Sequence, residues 1–209
     1  VIFHQWAGPG EYEFGRAEEF AKQGQIVLVA DIYGKSVRPA TSQERTVETT
    51  RYRGDRALMR QRARAGLDAL LAQKDVDPHR VTAMGFCFGG TVALELARGG
   101  APLAGTISVH GGLDTPNADA SRIRGSVLVL HGGSDPYVPD QQVQDFRSEM
   151  RAARLDWQIV EYGPAVHAFT DPSAGADPQR GAAYHEPSAR RAMAEITRFL
   201  EEIARAPAP

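Results

Sequence analysis

Short apolar runs alternate along the chain with longer stretches of helical period. Val1–His4, Ile26–Ala30, Arg80–Met84, Leu103–Val109, Ser126–His131 and Trp157–Tyr162 read as strands. Val127-Leu128-Val129-Leu130 is apolar without polar alternation, the pattern of a strand buried on both faces of a parallel sheet. Glu11–Gln23, Arg56–Gln73, Phe88–Arg98, Gln141–Ala153 and Ser188–Ala204 read as helices. In the second of these Leu58, Met59, Ala63, Leu67, Leu70 and Leu71 recur close to a period of 3.6. Gly24, Asp77-Pro78 and Gly99-Gly100 punctuate the elements. The polar stretch from Lys35 to about Thr46, with Pro39 inside it, predicts no regular element. Strands alternating with helices imply an α/β domain, a mainly parallel central sheet with helices on both faces. One such domain is expected over residues 1–205, with a loose tail at 206–209 and an N-terminal strand or two preceding Val1.

Composition narrows the class only modestly. The 209 residues are 42% hydrophobic and 24% charged, with a formal net charge of −2. That balance gives no field to attract nucleic acid or an anionic membrane, and neither is expected as a partner. No apolar run approaches the roughly 18–20 residues of a transmembrane helix, and no signal peptide is visible. The single cysteine cannot form an internal disulfide, which fits a reducing compartment, so a cytoplasmic location is the default expectation. Monomer and homodimer both remain open.

That cysteine carries the chemistry. Met84-Gly85-Phe86-Cys87-Phe88-Gly89-Gly90 lies between a predicted strand and a predicted helix, the context of the nucleophile elbow of α/β-hydrolases, with cysteine where serine is usual. Gly85 and Gly89 keep the tight turn free of side chains. The elbow puts the sulfur at the carboxyl end of the sheet and at a helix N-terminus, whose partial positive charge favours thiolate. The competing reading is a buried structural thiol in a glycine-rich turn.

An elbow nucleophile needs a base and an acid to orient it, in the chain order nucleophile, acid, base. Asp135 follows the strand Ser126–His131, and His167 follows the strand Trp157–Tyr162, so both fall in loops at the same end of the sheet. Alone, Asp135 before Pro136 reads as an ordinary turn aspartate; the three residues support one another. His110 and His131 also end strands near the site and are candidates to line it. His4, His79 and His185 are weaker rivals. An oxyanion hole would use the backbone N–H groups of Phe88 and Trp6, although the Trp6 side chain reads equally well as core packing.

His4-Gln5-Trp6-Ala7-Gly8, Asp31-Ile32-Tyr33-Gly34, Gly85-Phe86-Cys87-Phe88-Gly89-Gly90, His131-Gly132-Gly133-Ser134-Asp135 and His167-Ala168-Phe169 together resemble the dienelactone hydrolase family over nearly the whole chain. The resemblance implies an α/β-hydrolase fold and a Cys87–His167–Asp135 triad. It also implies a small ester or lactone cleaved through a thioester, with no metal or organic cofactor. Two positions depart from the family pattern. Gln5 stands where the well-studied members carry a glutamate that helps activate the thiol, which leaves activation to His167. Asp171 stands where a substrate-binding arginine is found and would repel an anion. Arg53, Arg56 and Arg60 are candidate replacements, with solvated helix faces as the alternative. Thioester or amide cleavage by the same triad, and non-catalytic ligand binding favoured by Gln5, are the competing functions.

Overall fold

The computed structural model describes residues 1–205; the tail expected at 206–209 lies outside the described residues. Six parallel strands form one sheet in the order β2-β1-β3-β4-β5-β6, with β1 at Ile2–Phe3, β2 at Val29–Ala30 and β3 at Thr82–Phe86. β4 is Gly105–Val109, β5 is Ser126–Gly132 and β6 is Trp157–Tyr162. The helices are α1 (Glu11–Lys22), α2 (Ser42–Gly54), α3 (Arg56–Leu71), α4 (Phe88–Arg98), α5 (Asp140–Ala152) and α6 (Glu186–Arg205). All pairings are parallel, so the loops after β1, β3, β4, β5 and β6 gather at one edge.

The period-2 geometry of the strands divides the core in two. Phe3, Ala83, Val127 and Val129 face one cluster with Tyr52 of α2, Met59, Ala63 and Leu67 of α3, Val92 of α4 and Phe146 of α5. Ile2, Met84, Phe86, Leu128 and Leu130 face the other, with Phe20 of α1 and Ile196, Phe199 and Leu200 of α6. The run Val127–Leu130 is thus buried on both sides, as its composition predicts, whereas the edge strands β2 and β6 are only partly covered.

The strands at the amino-terminal side shift relative to expectation. β2 keeps only the last two residues of Ile26–Ala30, and β3 runs two residues beyond Arg80–Met84. The larger difference is α2, whose first residues, Ser42 to Thr46, fall in the stretch expected to lack regular structure and whose remainder had no element assigned. Its first turn is closed by a capping box: Thr41 accepts from the Glu44 N–H, and the Glu44 carboxylate accepts from the Thr41 N–H. Among its residues only Tyr52 is buried, so the helix has almost no apolar stripe to betray it.

α4 is the opposite case, buried at every position from Phe88 to Arg98. Its two charged residues are therefore paired. Arg98 donates to both carboxylate oxygens of Glu149 at 2.9 and 2.7 Å, to Glu95 at 3.2 Å and to the Leu113 carbonyl at 3.0 Å. Arg60 completes the network from α3, 2.8 Å from Glu95. Removing one member leaves buried carboxylates uncompensated, a cost of about 3–5 kcal/mol. Arg98→Ala is expected to lose about that much stability in urea denaturation; a loss under about 1 kcal/mol would show that the network is dispensable.

Candidate active site

The elbow is built by close approach of backbone. Cys87 adopts φ 54° and ψ −119°, outside the regions a side-chain-bearing residue favours. A Cβ on Gly85 would sit 1.9 Å from the Gly89 carbonyl oxygen, and one on Gly89 would sit 2.1 Å from that of Phe3. Neither position admits any other residue, because the atoms in the way are main chain. The Cys87 N–H is shared between the Val109 carbonyl at 3.0 Å and Nδ1 of His110 at 3.1 Å.

Around the thiol the loops deliver an imidazole and a carboxylate. His167 lies close enough to Cys87 for each to shift the other's ionisation, and its Nδ1 lies 2.8 Å from Oδ2 of Asp135. The Asp135 side chain is fully buried, and its second oxygen accepts the Tyr137 N–H at 2.8 Å. Burial alone would raise the Cys87 thiol. The charge and hydrogen bond of His167, the Phe88 N–H and the charge of Arg53 outweigh it and bring the thiol below its ordinary value. Burial opposes charge on His167 as well, yet the Cys87 and Asp135 anions on its two sides raise it. The two shifts run in the direction that favours a thiolate–imidazolium pair.

The loop after β1 is held from three directions. Glu13 accepts the N–H groups of Gln5 and Gly10 at 2.9 and 3.0 Å, Tyr33 donates to the Trp6 carbonyl at 3.0 Å, and the Gln5 amide donates to Asp171 at 2.7 Å. The two departures from the family pattern are thus partners. Gln5 is tied to the loop after His167, and its amide makes no hydrogen bond to the thiol. The Trp6 N–H has no protein acceptor among the described residues, and the Phe88 N–H faces the sulfur. The Trp6 ring is 37% exposed beneath the Arg45 guanidinium, 5.5 Å from its centroid, so core packing of that side chain is ruled out. Exposed Tyr137 meets His167 edge-on at 5.3 Å, which places an aromatic ring beside the base.

The candidate arginines separate. Arg56 pairs with Asp114 at 2.7 Å and Arg60 with Glu95 at 2.8 Å, so each already has a carboxylate partner. Arg53 alone contributes to the field at the thiol. Of the two candidate lining histidines, His110 touches the elbow, whereas His131 is buried and makes no hydrogen bond to Cys87, Asp135 or His167. Among the described residues no three His, Cys, Asp or Glu side chains converge as a metal site, and no helix is long and apolar enough to cross a membrane. A cavity of about 580 Å³ lies at the opposite, amino end of the sheet among Ile2, Phe20, Val27, Leu70, Val81 and Leu200; Cys87, Asp135 and His167 do not line it.

A parallel sheet with an elbow after β3 and Asp and His loops after β5 and β6 has the architecture of an α/β-hydrolase. The chain belongs to the dienelactone hydrolase family, whose model matches residues 1–204. It is similar to the solved structure of a dienelactone hydrolase-like promiscuous phosphotriesterase from metagenomic libraries, at 41% identity and a TM-score of 0.91, covering 97% of this chain and 85% of that one. An uncharacterized Caenorhabditis elegans protein is 32% identical over 69% of this chain and 93% of its own length. A Saccharolobus solfataricus protein carrying the provisional name carboxymethylenebutenolidase is 31% identical over 60% of this chain. The match spans 46% of that relative's length.

The sign of the thiol's shift sets a pH test. With Cys87 lowered and His167 raised, the reactive thiolate persists below the ~8.5 of a free cysteine and is lost only as pH falls through the lowered value. Iodoacetamide labelling of Cys87 is expected to follow that profile. In His167→Ala burial is left to dominate, so the midpoint is expected to move upward; an unchanged profile would show that His167 does not ionise the thiol.

Proposed function

We propose that this protein hydrolyses small carboxylic esters or lactones through a thioester on Cys87. The observation that carries the reading is Cys87 on a strained elbow beside His167, whose Nδ1 lies 2.8 Å from Asp135 Oδ2; the Phe88 and Trp6 N–H groups are the candidate oxyanion donors. The Cys87 thiolate attacks the carbonyl carbon, and the two N–H groups hold the oxygen as it gains charge. Collapse of the tetrahedral species breaks the bond to the alkoxide, which takes its proton from His167. Neutral His167 then removes a proton from water, the hydroxide attacks the thioester, and collapse returns the thiolate and releases the acid. Asp135 keeps the imidazole oriented and stabilises its cationic form. The acidic Asp171 near the loops and the commitment of Arg56 and Arg60 elsewhere favour a neutral substrate over an anionic one.

A second reading comes from the likeness to the promiscuous phosphotriesterase, which covers 97% of this chain. The same thiolate and N–H pair would then act on a phosphotriester, attack at phosphorus replacing attack at carbon. A panel of p-nitrophenyl ester, thioester, amide and phosphotriester substrates separates these reactions, and no turnover of any member would favour non-catalytic ligand binding.

Cys87→Ala is expected to abolish hydrolysis of p-nitrophenyl acetate while leaving the melting temperature close to that of the unaltered protein; unchanged turnover would remove Cys87 from the mechanism. Asp135→Asn is expected to lower kcat by on the order of 10²–10⁴, since it disturbs the tautomer of His167. An unaffected kcat would show that Asp135 merely shapes its turn.

A further inference from the structure

Three of the four non-glycine residues with positive φ among those described converge on one place: Cys87 at 54°, His110 at 40° and Ala168 at 55°. Strain of this kind persists only where surrounding contacts over-determine it. The side chain at the centre is His110, buried at the carboxyl end of β4. A backbone N–H can only donate, so the contact from Cys87 makes His110 Nδ1 an acceptor and puts the ring proton on Nε2. Nε2 lies 2.9 Å from Thr170 Oγ1, which lies 2.7 Å from the Tyr12 hydroxyl; Tyr12 in turn donates to the Thr170 carbonyl at 3.4 Å. Every donor and acceptor in this chain is assigned consistently by one tautomer. The same ring meets His167 at 5.2 Å and Phe169 at 5.4 Å, both edge-on.

We propose that His110 is a positioning residue: its neutral imidazole braces the nucleophile elbow against the loop that carries His167, and so fixes the approach of sulfur to base. The proposal rests on the Cys87–His167–Asp135 reading and adds to it a residue that touches neither the substrate carbonyl nor the leaving group. Neutrality is part of the design. A proton on Nδ1 would expel the Cys87 N–H and set a second cation against the His167 imidazolium. The titratable groups facing the ring are Cys87 from the elbow, His167 from the loop after β6 and, through Thr170, Tyr12 from α1. Burial and the neighbouring His167 both hold His110 well below the ordinary histidine range, consistent with this role.

His110→Phe keeps a flat ring and removes both hydrogen bonds, whereas the Oδ1 of His110→Asn can still accept from Cys87. In the full chain, His110→Phe is expected to lower kcat for p-nitrophenyl acetate on the order of 10- to 100-fold, with KM within about twofold. It is also expected to raise the pH midpoint of iodoacetamide labelling at Cys87. His110→Asn is expected to recover most of both. If His110→Phe does not fold, Thr170→Val removes only the outer tether of the ring, and a smaller change of the same kind is expected. A low labelling midpoint in the unaltered protein that neither variant moves would overturn the role of His110 alone. An ordinary free-thiol midpoint in the unaltered protein would overturn the triad and this proposal with it.

Discussion

The left-handed backbone at Cys87 is the constraint from which the rest of the site follows. A strand that must turn into a helix within one residue can do so only if its neighbours leave room, and the main chain of Gly85 and Gly89 is packed so closely that no side chain fits. In return the sulfur stands clear of the sheet at the start of α4, with the Phe88 N–H directed at it. The fold supplies the remainder through topology. Because every strand runs the same way, the loops after β1, β5 and β6 end beside the elbow and can deliver an N–H donor, a carboxylate and an imidazole without any long excursion of chain.

Electrostatics then decides the resting state. A buried thiol resists ionisation, and so does a buried imidazole, yet each supplies what the other lacks. The opposed shifts favour an ion pair between them, and Asp135 lies hydrogen-bonded behind the imidazole. Position 5 carries a glutamine. Its amide is occupied with Asp171 and ties the loop after β1 to the loop after His167.

Much of this was legible in the sequence because it depends on local spacing. The elbow is a five-residue pattern between strand and helix, and the Asp135 and His167 loops follow strands whose apolar runs are unmistakable. What escaped depends on contacts between distant segments. Gln5 and Asp171 each read as a loss relative to the family, and only the fold reveals them as partners 166 residues apart. His110 ends a strand like several other histidines, and nothing local announces its positive φ or its contact with the Cys87 amide. α2 escaped for a different reason, since a polar helix with one buried side chain has almost no periodicity; the Thr41–Glu44 capping box was the available signal. Arg56 and Arg60 satisfied the wish for a cation near the site, but sequence cannot show that Asp114 and Glu95 already hold them.

Covalent catalysis at Cys87 stands or falls on trapping the intermediate. The protein is mixed with excess p-nitrophenyl acetate, quenched in acid during turnover, digested and examined by mass spectrometry. One acetyl group is expected on the peptide containing Cys87, lost on treatment with neutral hydroxylamine as a thioester must be. Steady release of p-nitrophenol with the Cys87 peptide unmodified at every quench time, including in a variant slowed at His167, would contradict it.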